Sequence, residues 1–114
     1  MTPPRDVVGV LGAGRLGLLH IIALREQYEK QQQMQSEDSI KSIIAIVRDS
    51  AQRKRRPRLS IDLGADQELC GITMKNESCD TVFECTGNPE GFLEAMRLSK
   101  RSVKICNIYI YIYI

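Results

Sequence analysis

The chain has 114 residues, of which 43% are hydrophobic and 26% are charged, values typical of one soluble globular domain. The formal net charge of +2 is too close to neutrality to indicate a nucleic-acid-binding protein on charge alone. No apolar stretch reaches the roughly 20 residues that span a bilayer. The first residues also lack the apolar segment of a secretory signal. Composition therefore predicts a cytoplasmic domain that binds neither nucleic acid nor membrane.

Short β-branched segments alternate with longer segments of helical pattern. The predicted strands are 7–11, 43–47, 81–85 and 103–106, with a weaker candidate at 67–74. The predicted helices are 16–24 with a polar continuation to residue 30, 51–63 and 91–98. This alternation predicts a parallel sheet, because right-handed crossovers through helices join parallel strands. We therefore expect an α/β, Rossmann-like, doubly wound sheet with helices on both faces, incomplete at about five strands.

The helical patterns also predict which side chains are buried. Residues 16–24 are apolar nearly all round, which is typical of a helix covered on most of its sides. Pro57 lies inside the predicted helix at 51–63, so that helix starts late or kinks, and Gly64 is suited to end it. In the last helix, the expected core contacts are Phe92, Ala95, Met96 and Leu98.

We expect one domain, residues 1–106, with a polar insertion at 31–39 and a separate tail at 107–114. Isoleucine and tyrosine alternate strictly from residue 108, which is the pattern that a repeated TA dinucleotide encodes. We interpret the tail as translated repeat sequence and the chain as a truncated product. An edge strand that prolongs 103–106 is the alternative.

A glycine-rich turn, G-x-G-x-x-G, separates the first strand from the first helix. Gly12 allows a tight turn, Gly14 lets a pyrophosphate approach the backbone, and Gly17 lets the helix pack against the strand. The first helical N–H groups, around Arg15 and Leu16, form an anion site at the positive end of the helix dipole. The glycine-rich turn lies between a buried strand and an apolar helix. This position favours a dinucleotide-binding turn over a purely structural one.

The residues after the second strand bear on the choice of cofactor. An arginine there meets the 2′-phosphate of NADP, whereas an acidic residue binds the ribose hydroxyls of NAD. Arg48 follows the strand directly and favours NADP. Asp49 comes next and could bind the ribose hydroxyls, so NAD is the alternative cofactor. The alternative is that Arg48 points to solvent and Asp49 caps the next helix. The basic run at 53–58 has no interleaved aromatic residues, and a solvated helix face is favoured over a nucleic-acid, nuclear-import or phosphate-binding patch.

The four cysteines show no C-x-x-C pairing. They are scattered along the chain at Cys70, Cys79, Cys85 and Cys106, and the only histidine is His20. A zinc site needs clustered ligands. We therefore expect reduced, mostly buried thiols, no metal site, and a packing role for His20 within the first helix.

Several motifs together resemble the cofactor domain of the medium-chain dehydrogenase/reductases, in particular the zinc-type alcohol and threonine dehydrogenase-like members. The motifs are VGVLGAGRLGLL, a second strand ending at Arg48, LGAD at 63–66 and DTVFECTGNPEGFLEAMRL at 80–98. The resemblance implies hydride exchange between NAD(P) and an alcohol or carbonyl, with Thr86 and Gly87 approaching the cofactor. The sequence departs from the family at Pro57, in the insertion, and at 99–102, where a glycine-containing turn is usual.

In that family the catalytic zinc is bound in a separate domain. We therefore expect no catalytic residue and no zinc in this chain, which alone would be inactive. The expected partners are a missing catalytic domain or further copies of the chain in a homo-oligomer, and a third hypothesis is an enzyme completed by another chain. The alternative is a truncated, non-catalytic product or an interaction module that retains the fold.

Overall fold

The computed structural model describes residues 6–12, 14–33, 40–47 and 59–106. The described strands are β1 (Asp6–Leu11), β2 (Ile40–Val47), β3 (Gln67–Cys70), β4 (Cys79–Glu84) and β5 (Ser99–Ile105). The helices are α1 (Arg15–Gln33), α2 (Leu59–Asp62) and α3 (Pro89–Leu98), with a 3₁₀ turn at Gly71–Thr73. None of the helices in these ranges is long and apolar enough to cross a membrane.

All neighbouring strands are parallel, in the order β3-β2-β1-β4-β5. This order confirms the predicted α/β class with a Rossmann-like sheet of five strands. The chain runs outward from β1 to β3 on one side and from β4 to β5 on the other. In sheets of this kind, ligands bind beyond the carboxyl ends of the strands at the point where the order reverses. That point lies here between β1 and β4.

Alternate residues along the strands belong to two apolar clusters. Because successive side chains of a strand point in opposite directions, α1 and α3 pack against different sets of strand side chains. The cluster containing α1 comprises, among others, Val8, Val10, Leu18, Ile21, Leu24, Ile43 and Ala45. The cluster containing α3 comprises Leu11, Ile44, Ile46, Met74, Cys79, Val82, Ala95 and Leu98.

Two predictions of burial are wrong. Leu19 and Ile22 of α1 are 61% and 42% exposed, although we expected that helix to be covered on most sides. The α1 residues that pack with the sheet form one stripe, with Leu18, Ile21 and Leu24 in the buried cluster and Tyr28 against it, as in an ordinary surface helix. In α3, Ala95 and Leu98 are buried as expected, but Met96 is 53% exposed.

The LGAD motif connects α1 with β2. Gly64 has φ +129° and follows α2, as a glycine that ends a helix does. The Arg25 guanidinium donates to the Gly64 carbonyl at 2.7 Å and to Asp66 at 2.8 Å. The other oxygen of Asp66 accepts from the Ile43 backbone N–H at 2.7 Å. The motif therefore has a structural role in this fold.

The ends of several elements differ from their predicted positions. The candidate strand at 67–74 is a strand only to Cys70 and then becomes the 3₁₀ turn. The last strand begins at Ser99 rather than 103, so α3 passes directly into β5 at the point where the family has a turn. The Pro57 kink, the insertion beyond Gln33, the basic run and the tail all lie outside the described residues.

Candidate functional site

The glycine turn lies at the carboxyl end of β1, beside the end of β4. The Gly12 backbone N–H donates to the Ile46 carbonyl at 3.0 Å, and the Cys85 N–H donates to the Leu11 carbonyl at 2.9 Å. The β1–α1 turn (residues 12–14, Ala13 not described) and the β4–α3 turn (residues 85–88) are therefore neighbours at the edge where ligands bind in such sheets.

Gly12 and Gly17 occupy positions where no larger residue fits. Gly12 has φ +108°, and a Cβ there would lie 3.1 Å from the Cys85 carbonyl carbon and 3.2 Å from the Thr86 nitrogen. A Cβ on Gly17 would overlap the carbonyl oxygen of Gly12. These contacts agree with the predicted tight turn and the predicted close packing of helix against strand.

Gly14 differs from the other two glycines because its surroundings are open. Apart from its two neighbours in the chain, no atom of the described residues lies within 4 Å of a Cβ built on Gly14. Its carbonyl accepts the first regular bond of α1, from Leu18 N–H at 3.0 Å. The N–H groups of Arg15, Leu16 and Gly17 therefore precede the regular hydrogen-bond pattern of the helix. The first turn of α1 contains no acidic residue, so its dipole and amide groups favour an anion.

The β4–α3 turn is built around a buried carboxylate that the sequence reading missed. Glu84 is only 2% exposed and accepts from the Thr86 backbone N–H at 2.7 Å and from the Thr86 hydroxyl. The Asn88 side chain caps α3 by accepting from the Gly91 N–H at 2.7 Å. A Cβ on Gly91 would overlap the Thr86 hydroxyl. The side chains of this turn thus bond mainly to backbone N–H groups and to one another within the turn.

The four predicted residues near the second strand and this turn have different outcomes. Thr86 lies beside the β1–α1 turn, where its nitrogen would be 3.2 Å from a Cβ on Gly12, but the Thr86 hydroxyl is already bonded to Glu84. Gly87 has φ +75°, and within the part of the chain that the structure describes nothing but its chain neighbours lies within 4 Å of where a Cβ would be. Arg48 and Asp49 lie outside the described residues. The motif E-C-T-G contains Glu84, yet nothing in a single sequence marks its carboxylate as buried.

The cysteines are scattered along the sequence, but two of them lie together with His20 in the folded chain. The sulfurs of Cys85 and Cys106 and one ring nitrogen of His20 all lie within 4.8 Å of one another, and all three residues are half-buried. Burial and the adjacent Cys106 thiol raise the pKa of Cys85, and burial raises the pKa of Cys106. Both are therefore neutral thiols at pH 7. Cys79 is a core residue whose pKa is raised to about 11, chiefly by burial.

Comparisons of this chain with protein-family models, curated proteins and solved structures found no significant match.

Proposed function

We propose that this chain binds a nicotinamide dinucleotide at the carboxyl end of β1, as the cofactor domain of an alcohol dehydrogenase-like oxidoreductase. The observation that carries the proposal is the contrast among the three motif glycines. Gly12 and Gly17 are enclosed by backbone, whereas the space over Gly14 is left open by the residues that the structure describes. Close packing alone explains the first two glycines, but an open position gives no packing reason for a glycine. A glycine at an open position is explained if a ligand has to approach the backbone there.

The residues of the β1–α1 turn suit a diphosphate. The N–H groups of Arg15, Leu16 and Gly17 would donate to its oxygens, and the exposed Arg15 side chain adds a positive charge near them. Gly12 and Gly17 would hold the turn and the helix in the required position. Thr86 lies beside Gly12 after the end of β4, and Thr86 and Gly87 would border the bound dinucleotide.

The reaction class follows from the resemblance to the medium-chain dehydrogenase/reductases. When bound, the nicotinamide supplies hydride exchange with an alcohol or a carbonyl. The role we assign to this chain's own residues is to bind and orient the dinucleotide. We assign the substrate-binding and catalytic groups to another domain or chain.

Cofactor binding can be tested by titrating the full chain with NADPH and NADH and following nicotinamide fluorescence. Gly14→Val should abolish binding, because its side chain would fill the space that the diphosphate needs. The substitution should leave the fold intact and cost at most about 1 kcal/mol at this N-cap position. Ala23→Val adds the same side chain to an exposed position of the same helix and should bind normally.

The same titration addresses the choice of cofactor and the alternative function. We expect Arg48→Ala to weaken NADPH more than NADH, because only NADPH carries the 2′-phosphate. Equal weakening would remove the preference for NADP. Unchanged affinity in a folded Gly14→Val variant would exclude the proposed site. Failure of the unaltered chain to bind either nucleotide would favour a non-catalytic interaction module.

A further inference from the structure

Three side chains with nitrogen or sulfur donors meet at one corner of the sheet. Cys85 and Cys106 directly follow β4 and β5, whose last residues Glu84 and Ile105 are paired in register. The Cys106 N–H donates to the Glu84 carbonyl at 2.8 Å, so the two cysteines leave adjacent strands at the same level. His20 approaches from α1, and the three donor atoms lie within 4.8 Å of one another.

The imidazole of His20 is oriented before any ligand arrives. Its Nδ1 lies 2.8 Å from the Leu16 carbonyl oxygen, which can only accept, so Nδ1 carries the proton. The Nε2 lone pair is then the one available to a metal ion. A backbone carbonyl on the other ring nitrogen is a common support for metal-binding histidines. The ring also packs beside Phe83, with centroids 5.6 Å apart.

The donor set selects the kind of metal. Two thiolates and one imidazole suit zinc, whereas magnesium and calcium require oxygen ligands. With Zn–S of about 2.3 Å and Zn–N of about 2.0–2.1 Å, tetrahedral ligands lie about 3.5–3.8 Å apart. The donors, at separations of up to 4.8 Å, need to close by about 1.3 Å at most. Three protein ligands leave a fourth position for water.

We propose that His20, Cys85 and Cys106 bind one zinc ion, which joins α1 to the carboxyl ends of β4 and β5. Binding replaces the proton on each thiol, so that one Zn²⁺ enters and two protons leave. The ion would attach β5, an exposed strand whose Ile105 is 47% accessible, to the helix. None of the three ligands is among the residues assigned to the dinucleotide, so the two proposals can be tested separately.

Cobalt titration of the full chain tests the site. The protein is kept reduced with a phosphine, freed of metal with a chelator and titrated with Co²⁺. We expect one Co²⁺ per chain, with sulfur-to-cobalt charge-transfer absorption and the intense visible bands of tetrahedral cobalt, both removed by added Zn²⁺. Absence of these bands from the reduced, folded chain would overturn the proposal.

Variants assign the ligands. Cys106→Ser and His20→Gln should each weaken Co²⁺ binding by more than about a hundredfold, since loss of a ligand costs at least as much as loss of its supporting contacts. Cys70→Ser is the matched control, because Cys70 is also half-buried but lies outside the cluster, and it should bind as the unaltered chain does. Circular dichroism checks folding, and His20→Gln remains informative if the serine variant unfolds. Undiminished binding in either ligand variant, or equal loss in Cys70→Ser, would refute the assignment.

Discussion

The two strand-to-helix turns at the carboxyl edge of the sheet are built in different ways. In the β1–α1 turn, Gly12 and Gly17 bring backbone against backbone, and no described residue outside its chain neighbours fills the space over Gly14. In the β4–α3 turn, side-chain hydrogen bonds hold the turn instead: Glu84 bonds to Thr86, and Asn88 caps the helix. The first turn presents helix N–H groups at an open surface, whereas the second satisfies its polar groups internally.

Because of this difference, we expect the first turn to bind the proposed ligand and the second turn to hold the surface beside it in position. A turn whose amide groups face open space can bind an anion, whereas a turn whose groups are bonded to one another fixes the shape of the adjacent surface. We expect changes in the second turn to affect stability more than ligand affinity. In the first turn, replacing an enclosed glycine should lower stability, whereas replacing Gly14 should lower ligand affinity.

The largest effect is expected from Gly17→Ala. The added Cβ would overlap the Gly12 carbonyl oxygen, and backbone on both sides leaves little room to adjust, so we expect a loss of more than about 3 kcal/mol of unfolding free energy. Urea denaturation followed by circular dichroism measures it. Gly14→Ala is the matched comparison and should cost no more than about 1 kcal/mol. Similar losses in the two variants would contradict the distinction between enclosed and open glycines.

A smaller effect is expected from Glu84→Gln in the second turn. The amide keeps one acceptor for Thr86 but places an NH₂ group in a site that is 2% exposed, and a buried polar group without a partner costs about 1–3 kcal/mol. Hydrogen exchange of the Thr86 amide should also accelerate, because its acceptor is weakened. Unchanged exchange and stability would mean that the carboxylate does not hold this turn.

The smallest effect is expected from Asn88→Ala, which removes the cap on the Gly91 N–H. Loss of such a cap costs about 1 kcal/mol, measurable as a lower midpoint of thermal unfolding. Asn88→Asp, which retains the acceptor, should remain close to the unaltered chain. If Asn88→Ala weakened NADPH binding far beyond its effect on stability, the second turn would contact the ligand rather than only support the first.

The sequence predicted the parallel sheet and the roles of Gly12 and Gly17, because strand, turn and helix are consecutive there and their geometry is local. It did not predict the contact of His20 with Cys85 and Cys106. That contact depends on the register of β4 with β5 and on the rotation of α1, which are set by packing far apart in the chain. The exposure of Leu19 was missed for the same reason, since composition does not show how much of a helix its sheet can cover.

The direct passage from α3 into β5 restricts where the chain can change in length. Between the pairs Cys79↔Ser99 and Thr81↔Ser102, β5 contains one residue more than β4, and Arg101 in this irregular segment lies near Asp80 and Asp6. Insertion of one residue downstream of it would turn every following side chain to the opposite face of the strand. Cys106 would then move away from Cys85, so the corner that joins helix and strand requires a fixed residue count from Ser102 onward.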